Sequence, residues 1–576
     1  MVVGSTERSV TLGVVGADDQ AFGFINGGTI SGIGTYAGVD AHGLQFGVEG
    51  GQAVTVEGGV RNIGSIATGA LDADSTALQF FDNASTPILQ NERTIQAGTS
   101  TAGTHTATAV LISEGANLPV LDNSGVISAG IGGNHVTAVA VRDLSGTLTS
   151  FSNSGTIAAS IAADPNDETQ VDGSAIAIDL SANTTGVTIR QFGVLADEDS
   201  TLTDTDGDGV PDVNEPSISG DVLLGSGNDS VSIENGTLTG NLSFGAGADS
   251  LAISGGAVVI GAITDADGQL DITVGDGTLF ASQTSSTNIS NLSVGADGTL
   301  LFNVDPAADA AGGFNVSGAA NVATGASLGV RFASLLDEPE RFALLTAGEL
   351  NVGELDQTLL EQNSPYLYVV EAGVDESAGQ LYVDARRRTA EEAGLIRVEA
   401  SAFDAIYAAL GDNETLQNLF LNQTSREDFI DVYEQMLPDH SGGPLMSLSA
   451  GVDAVTRALT GRNASAAPGE TSAWVQEINF YADKDKTESY GFRSEGFGVA
   501  GGVERGSSLG AFGVSVAFTS SDIEDPEAEA EEILSANLLE LGLYWRAQGQ
   551  YWTTWARAAG GYASFSADRS LVAGGV

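Results

Sequence analysis

The stretch "NSGVISAGIGGNHVTAVAVRDLSGTLTSFSNSGTI", residues 123 to 157, decides the fold because it begins and ends on the same Asn-Ser-Gly-x-Ile motif. Between the two copies lie two runs of alternating apolar residues, "VTAVAV" and "LTSFSN". Such alternation is typical of β-strands, in which successive side chains point to opposite faces. One unit of about 30 residues therefore holds three short strands.

The wider motif Asn-x-x-x-Ile occurs five times, as "NGGTI" at 26, "NIGSI" at 62, "NERTI" at 91, "NSGVI" at 123 and "NSGTI" at 153. Three strands in each unit predict a mainly β chain that forms a right-handed parallel β-solenoid, or β-helix, in which each turn stacks on the one before it. A β-sandwich with Gly-rich hairpins is the alternative. A sandwich, however, does not need the same corner motif every 30 residues or so.

The repeated motif predicts the positions of two sets of side chains. One internal stack is expected from Ile30, Ile66, Ile95, Ile127 and Ile157. One corner of the solenoid is expected from Asn26, Asn62, Asn91, Asn123 and Asn153. Asn tolerates the left-handed backbone conformation, so we expect that conformation at the corner, together with hydrogen bonds along the ladder.

The chain is strongly acidic and contains no cysteine. It has 76 Asp and Glu against 21 Lys and Arg, which gives a formal net charge of -55. This charge repels nucleic acid and attracts divalent cations, so we expect no nucleic-acid partner. Disulfides and thiolate metal sites are excluded. The first residues lack the basic cluster of a signal peptide, and we expect them to lie inside a longer parent chain.

A shorter repeat follows the five long ones. "GDVLLGSGNDSVSIENG" and "GNLSFGAGADSLAISGG" place Gly225, Gly227 and Asp229 in the same pattern as Gly245, Gly247 and Asp249. The solenoid should therefore continue with shorter turns. Both segments are similar to the calcium-binding nonapeptide repeats of RTX toxins, but those repeats stand about nine residues apart. Asp229 and Asp249 are thus either calcium ligands or plain turn residues.

"DTDGDGVPDVNE", residues 204 to 215, has the ligand spacing of a twelve-residue calcium loop. The candidate ligands are the side chains of Asp204, Asp206, Asp208, Asp212 and Glu215 and the carbonyl oxygen of Val210. Its flanks have no helical period, so the loop is not an EF-hand. We expect a structural calcium ion that clamps an excursion from one solenoid turn. An acidic, solvated turn without an ion is the alternative.

The chemistry of the chain changes at residue 387. Residues 1–270 carry the solenoid repeats, and residues 271–386 carry longer strands that predict the last turns and a cap. Residues 387–470 predict a helical linker: one helix that starts at a capping box from Thr389 to Glu392, a second over about 425–437 and a third over 444–460.

Residues 471–576 predict an antiparallel sheet of about five strands, which are "WVQEINFYA", "GFGVAGGVE", "LGAFGVSVAF", "NLLELGLYW" and "YWTTWARAAGGYASF". All four Trp of the chain lie here, and the strand "GFGVAGGVE" places Gly or Ala at every second position. These features are typical of an outer-membrane β-barrel. A soluble antiparallel domain is the alternative.

A solenoid, then helices, then the start of a membrane barrel is the order found in autotransporters, the type V secretion proteins of Gram-negative bacteria. "YEQMLPDHSGGPLMSLSAGVDAVTRAL", residues 433 to 459, resembles the segment that such proteins carry just before the barrel. The family has a signal peptide and a barrel of about twelve strands, so the chain resembles an autotransporter truncated at both ends. Five strands with bare edges should not insert into a bilayer by themselves.

The resemblance implies a protein of the outer membrane and cell surface. Its passenger would act as an adhesin or structural stalk toward a host or matrix ligand, and its completed barrel would be inserted by the barrel assembly machinery. It also implies that the helix over 444–460 lies in the barrel pore, where Asp453, Thr456, Arg457 and Arg462 would meet a polar lumen. Alternatively, the stripe from Leu445 to Leu459 packs on the two preceding helices.

We expect no enzymatic activity from this chain. None of the four His residues stands near a nucleophile signature, and His440-Ser441 lies in a turn. Two alternatives stay open: a secreted enzyme whose catalytic domain lies upstream, and a carbohydrate-active site made of paired carboxylates on a face of the solenoid.

Overall fold

A computed structural model describes residues 1–16, 21–100, 103–163, 172–196, 201–205, 207–437, 443–462, 465–524 and 532–569. The chain divides into two compact units, Met1–Arg386 and Arg387–Val576. The division coincides with the change in chemistry at residue 387. The first unit is built from parallel sheets, and the second holds helices and an antiparallel sheet.

The first unit is a parallel β-solenoid with three long sheets, one for each strand of the repeat. The first sheet contains Val2–Val3, Ala41–Phe46, Ser75–Phe80, Thr106–Ile112, Val136–Asp143, Gly173–Asp179, Asp221–Leu223, Leu242–Phe244 and Ile263–Asp265. The second sheet contains Phe24–Asn26, Val60–Asn62, Leu89–Asn91, Val120–Asn123, Ser150–Asn153, Thr188–Gln191, Ser230–Ile233, Asp249–Ile253, Leu270–Val274, Thr287–Ile289, Asn291–Val294, Phe314–Val322, Glu340–Val352, Tyr368–Asp375 and Gln380–Arg387.

The third sheet contains Thr29–Ile33, Ser65–Leu71, Thr94–Ser100, Val126–Gly132, Thr156–Ala162, Ser217–Ser219, Thr237–Thr239, Val258–Gly261, Thr278–Ala281, Thr299–Asp305, Ala310–Ala311 and Ser327–Phe332. A small parallel sheet at the first turns contains Val10–Leu12, Val54–Val56 and Ala84–Ser85. The mainly β, solenoidal fold class predicted from the repeats is therefore confirmed.

The predicted internal stack is present, because equivalent Ile residues of successive turns pair in register. Ile95 pairs with Ile66 on one side and with Ile127 on the other. The series runs from Ile30 to Ile157, and its last four members are fully buried. Stacking identical β-branched side chains buries one continuous apolar column along the solenoid.

The predicted Asn ladder is present, but its predicted backbone conformation is wrong. The Asn62 Nδ2 donates to Asn91 Oδ1 at 2.7 Å, and the Asn91 Nδ2 donates to Asn123 Oδ1 at 2.8 Å. Asn26 and Asn153 continue this series at its two ends. None of the five has a positive φ, since each is the last residue of a strand in the second sheet. An extended backbone turns the amide inward, onto the next amide of the ladder.

The shorter turns follow as predicted. Ser230 pairs with Ser250 and Val231 with Leu251, a shift of 20 residues. The solenoid ends on an antiparallel pair, Glu340–Val352 with Gln380–Arg387. A short helix, α1 (Gln357–Gln362), precedes the last strands.

The second unit begins with short helices. They are α2 (Arg397–Ala400), α3 (Phe403–Leu410), α4 (Glu414–Leu421), α5 (Arg426–Glu434) and α6 (Gly443–Thr460). The prediction of a single helix from the capping box onward is wrong: Thr389 and Glu392 do exchange the predicted hydrogen bonds, but they close a separate turn. The second and third predicted helices correspond to α5 and α6, whereas α4 was not predicted.

The second unit ends in a five-stranded antiparallel sheet, here called the C-terminal sheet. Its strands are Thr471–Lys484, Phe492–Ser507, Gly510–Glu524, Glu532–Gln548 and Thr553–Arg569. They pair in chain order, and the sheet is not closed on itself within the described part of the chain. Among the described helices, none is both long and apolar enough to cross a membrane.

Candidate functional site

The predicted calcium loop is closed by its own backbone. The Asp204 carboxylate accepts the amides of Gly207 at 2.7 Å and Gly209 at 3.0 Å. The Asp208 carboxylate accepts the amide of Val210 at 2.7 Å and also the Asn235 side-chain amide. Carboxylate oxygens that would face an ion therefore already have donors.

The remaining predicted ligands do not come together around one point either. Asp212 accepts the amide and hydroxyl of Thr205 at 2.8 and 2.6 Å, and these hydrogen bonds lower its pKa. Val210 has a buried side chain, Glu215 is half-buried, and Asp206 lies outside the described residues. In the described part of the chain no three His, Asp or Glu side chains come close enough together to hold a metal ion. Calcium at this loop stays a prediction.

A second acidic group lies where the first sheet turns into the second in the short turns. We call residues 225–229, 245–249 and 265–269 the acidic corner. Asp229 Oδ1 accepts the amide of Val187 at 2.8 Å, and Asp249 Oδ1 accepts the amide of Asp229 at 2.7 Å. Each carboxylate thus reaches one turn back along the solenoid and fixes the corner of its neighbour.

The second oxygen of each carboxylate has no partner. Asp229 and Asp249 are 1% and 3% exposed, and the Oδ2 atom of each is buried without a hydrogen bond. Burial raises the pKa of Asp229 to about 6, against the hydrogen bond from Val187, and the charge of Asp249 raises it further. Burial also raises the pKa of Asp249, to which Asp265 and Asp267 add.

In the second unit, α6 packs against the strands of the C-terminal sheet. The contact uses small residues: the Ser447 hydroxyl lies 2.8 Å from that of Ser494 and 2.7 Å from that of Ser521. A Cβ on Gly451 would stand 3.2 Å from the Thr519 hydroxyl, so glycine lets the helix approach the sheet closely. Ala454, Val455 and Ala458 complete the contact together with sheet residues such as Ile478.

A polar network holds the end of α6 on the same face. Arg462 forms an ion pair with the buried Glu504 at 3.1 Å, and the Tyr544 hydroxyl donates to the same carboxylate at 3.1 Å. The Arg546 guanidinium donates to the carbonyl oxygens of Leu459 and Arg462, both at 3.0 Å. The last carbonyl groups of a helix have no hydrogen-bond donor within the helix. Arg546 provides donors at the end of α6.

The two faces of the C-terminal sheet differ in chemistry. The face under α6 buries many small or polar side chains, beside apolar ones such as Ile478 and Phe480, and the small or polar ones include Ser494, Ala500, Glu504, Ser515, Ala517, Thr519, Ser521, Glu540 and Arg546. The other face exposes large apolar side chains, which include Val475, Phe497, Val499, Val503, Phe512, Val514, Val516, Phe518, Leu539, Leu541, Leu543 and Tyr562. A contiguous apolar face of this size marks a surface that meets a partner or a lipid phase.

The structure separates the four predicted polar residues of the third helix. Thr456 accepts the Arg557 guanidinium at 2.8 Å and Arg462 binds Glu504, whereas Asp453 and Arg457 are exposed. The alternative apolar stripe is divided, since Val455 and Leu459 are buried with the small residues whereas Leu445 is exposed. The four-residue spacing of Gly443, Ser447 and Gly451 was the signal for this face.

The histidines bring no nucleophile into a catalytic arrangement within the described residues. His105 lies 3.2 Å from a carboxylate oxygen of Asp74, and His135 contacts Asp172, both at exposed turns. The pair His440-Ser441 lies outside the described residues.

Comparisons with protein-family models, with curated proteins and with solved structures find no match for this chain.

Proposed function

We propose that this chain belongs to an autotransporter, a type V secretion protein of a Gram-negative bacterium whose solenoid is exported through a barrel that includes the C-terminal sheet. The observation that carries the proposal is the division of that sheet into an apolar exposed face and a face of small and polar side chains covered by α6. A membrane barrel needs this division, with apolar side chains toward lipid and polar ones toward the lumen.

The position of α6 supports a role in export. A helix within a pore must contact the wall without filling the lumen, and small residues on both surfaces allow this. The ion pair of Arg462 with Glu504 and the capping by Arg546 then hold the helix in place after the passenger has passed. Further strands would pair with the free edges of Thr471–Lys484 and Thr553–Arg569, after insertion by the barrel assembly machinery.

The solenoid suits the role of a stalk or adhesin at the cell surface. Its turns repeat in register, so each turn adds a similar surface and the same internal stack. Its ligand would be a host or matrix surface. Calcium held by the loop 204–215 would share Asp204 and Asp212 with the backbone amides that now bind them.

Cysteine labelling tests the proposal, because the chain has no native cysteine. The gene would be expressed with its own flanking coding sequence in a Gram-negative host. Val374→Cys, on the solenoid, should react with a membrane-impermeant maleimide in intact cells. Leu541→Cys, on the apolar face, should react only with a lipid-soluble maleimide. Labelling of Val374→Cys only after lysis would contradict export.

A matched pair of substitutions separates membrane insertion from general misfolding. Leu541→Arg, made together with Val374→Cys, places a charge on the proposed lipid face, which costs about 2–4 kcal/mol at the bilayer midplane, and should abolish surface labelling of Val374→Cys. Leu195→Arg adds the same charge at an exposed Leu of the solenoid and should leave surface labelling unchanged. Equal labelling of both variants would contradict a lipid-facing sheet.

A further inference from the structure

The acidic corner combines three properties that an acidic cluster on a surface does not have. Its two central carboxylates are buried, each has one oxygen without a donor, and they belong to adjacent turns. An ionised carboxylate only accepts hydrogen bonds, so stacked carboxylates cannot satisfy one another. A buried acceptor without a donor costs about 1–3 kcal/mol, and more when it is charged.

We propose that the acidic corner binds a divalent cation of the calcium type through Asp229 and Asp249. This site is distinct from the predicted loop at residues 204–215.

The charges around the pair favour a cation. The charged groups that act on Asp249 are Asp265 and Asp267, and Asp249 itself acts on Asp229. Both oxygens of Asp265 are also buried. Across the described residues no Lys or Arg forms an ion pair with Asp229 or Asp249. In the described part of the chain, Asp229, Asp249 and Asp265 thus bury carboxyl oxygens without an ion pair, and a bound cation would offset their mutual repulsion.

The backbone supplies the kind of oxygen that completes such a site. A Cβ on Gly245 would stand 1.5 Å from the Gly225 carbonyl oxygen, and one on Gly247 would stand 2.2 Å from that of Gly227. Glycine rows thus bring carbonyl oxygens of successive turns to the corner. Calcium takes about 6–8 oxygen ligands and accepts carboxylates, carbonyls and water. Two carboxylates, with carbonyl oxygens or water as further ligands, are compatible with this chemistry, although no group of three acidic side chains converges among the described residues.

The loop at 204–215 lacks the decisive property. Asp204 and Asp212 are exposed, and their carboxylates already accept amides and a hydroxyl from within the loop. An ion there would share these oxygens with existing hydrogen bonds. At the corner an ion would bind oxygens that have no other partner.

Calcium titration of the full chain in detergent, followed by calorimetry and by equilibrium dialysis, tests the site. Asp249→Asn keeps the Oδ1 acceptor that holds the Asp229 amide but removes the charge from the unpartnered oxygen. We expect it to remove one bound calcium per chain, or to weaken that site at least about tenfold. Asp297→Asn removes the same charge at an exposed Asp of a later turn and should change nothing.

A double variant distinguishes the two candidate calcium sites. Asp204→Ala with Glu215→Ala should keep the calcium bound at the corner. If Asp249→Asn fails to fold by circular dichroism, this variant and Asp229→Asn still decide. The proposal is overturned if the loop variant abolishes all calcium binding, or if a folded Asp249→Asn or Asp229→Asn variant binds calcium as the unchanged chain does.

Discussion

The Asn ladder of the long turns and the acidic corner of the short turns solve the same problem with different chemistry. In both, a polar side chain points inward at a corner and repeats on each turn. An amide carries a donor and an acceptor, so each of the three inner residues, Asn62, Asn91 and Asn123, gives one hydrogen bond to the next Asn and receives one from the previous Asn at 2.7–2.8 Å. A carboxylate carries acceptors only, so each Asp binds a backbone amide and keeps one oxygen without a partner. The amide ladder is self-sufficient, whereas the carboxylate stack requires a partner from outside the chain.

The largest expected effect comes from replacing an amide of the Asn ladder with a carboxylate, the group found at the acidic corner. Asn123→Asp removes the donor to Asn153 and places a buried charge against the Asn153 Oδ1 acceptor, while the other oxygen still accepts from Asn91 Nδ2. We expect it to lower the free energy of unfolding by about 3–5 kcal/mol, as other uncompensated buried charges do. Urea denaturation followed by circular dichroism measures it. Asn315→Asp, at an exposed Asn pair, is the control and should cost less than about 1 kcal/mol. Equal costs would show that the ladder is not special.

The next contrast is in pH dependence. Burial raises the pKa of Asp229 to about 6, above the ordinary Asp value of about 3.9. The folded chain therefore holds this proton more tightly than the unfolded chain. The resulting stabilisation is complete below about pH 4 and is lost as the pH rises through about 6. In EDTA, the unchanged chain should therefore lose unfolding free energy relative to Asp229→Asn as the pH rises. We expect this relative loss to be on the order of 2 kcal/mol between pH 4 and 7.5. A difference that is constant across this range would contradict the shifted pKa.

The third contrast is the space between turns. A Cβ on Gly245 would collide with the Gly225 carbonyl oxygen, whereas one on Gly69, in the long turns, would meet nothing within 4 Å. Gly245→Ala should lower the unfolding free energy by about 1–3 kcal/mol because the turns must separate. Gly69→Ala should change it by no more than about 0.5 kcal/mol. Thermal unfolding of both variants measures the difference, and a harmless Gly245→Ala would show that the short turns have room to adjust.

Much of the solenoid could be predicted from the sequence because its determinants repeat. The spacing of Ile95, Ile127 and their equivalents predicts which residues stack, and parallel pairing in register follows. The prediction of a left-handed backbone at the Asn ladder was wrong because spacing does not distinguish a strand end from a turn. The small residues of the packing face of α6 were missed because the stripe that begins at Leu445 drew attention to large side chains, of which Val455 and Leu459 are buried but Leu445 is exposed.

The sequence offers the acidic corner only as an alternative, because the repeated pattern of Asp229 and Asp249 does not show whether they are ligands or turn residues. The twelve-residue pattern of the loop 204–215 matches calcium ligands, but spacing does not show which backbone amides reach Asp204 or Asp212. The unpartnered oxygens of Asp229 and Asp249 arise from the register between turns, which brings each carboxylate under the amide of a residue 20 or more positions away.

The smallest expected effect comes from the opposite exchange, Asp to Asn, at the acidic corner. In calcium-free buffer, Asp249→Asn removes one charge from the stack and adds a donor for the unpartnered oxygen of Asp229. We expect it to raise the unfolding free energy by about 1 kcal/mol, the typical net value of one hydrogen bond. The measurement is urea denaturation with EDTA. A loss of stability would show that Asp249 is satisfied within the chain.

Hydrogen exchange with and without calcium tests most directly whether the acidic corner, and not the Asn ladder, depends on a partner. Amide exchange would be followed by mass spectrometry in the full chain, in EDTA and in millimolar calcium. Calcium should slow exchange at least about tenfold in Ser230–Ile233 and Asp249–Ile253, since binding to the folded state stabilises it by mass action. Exchange in Val120–Asn123 and Val126–Gly132, beside the ladder, should not change. Unchanged exchange at the short turns, or protection confined to residues 201–215, would contradict the account.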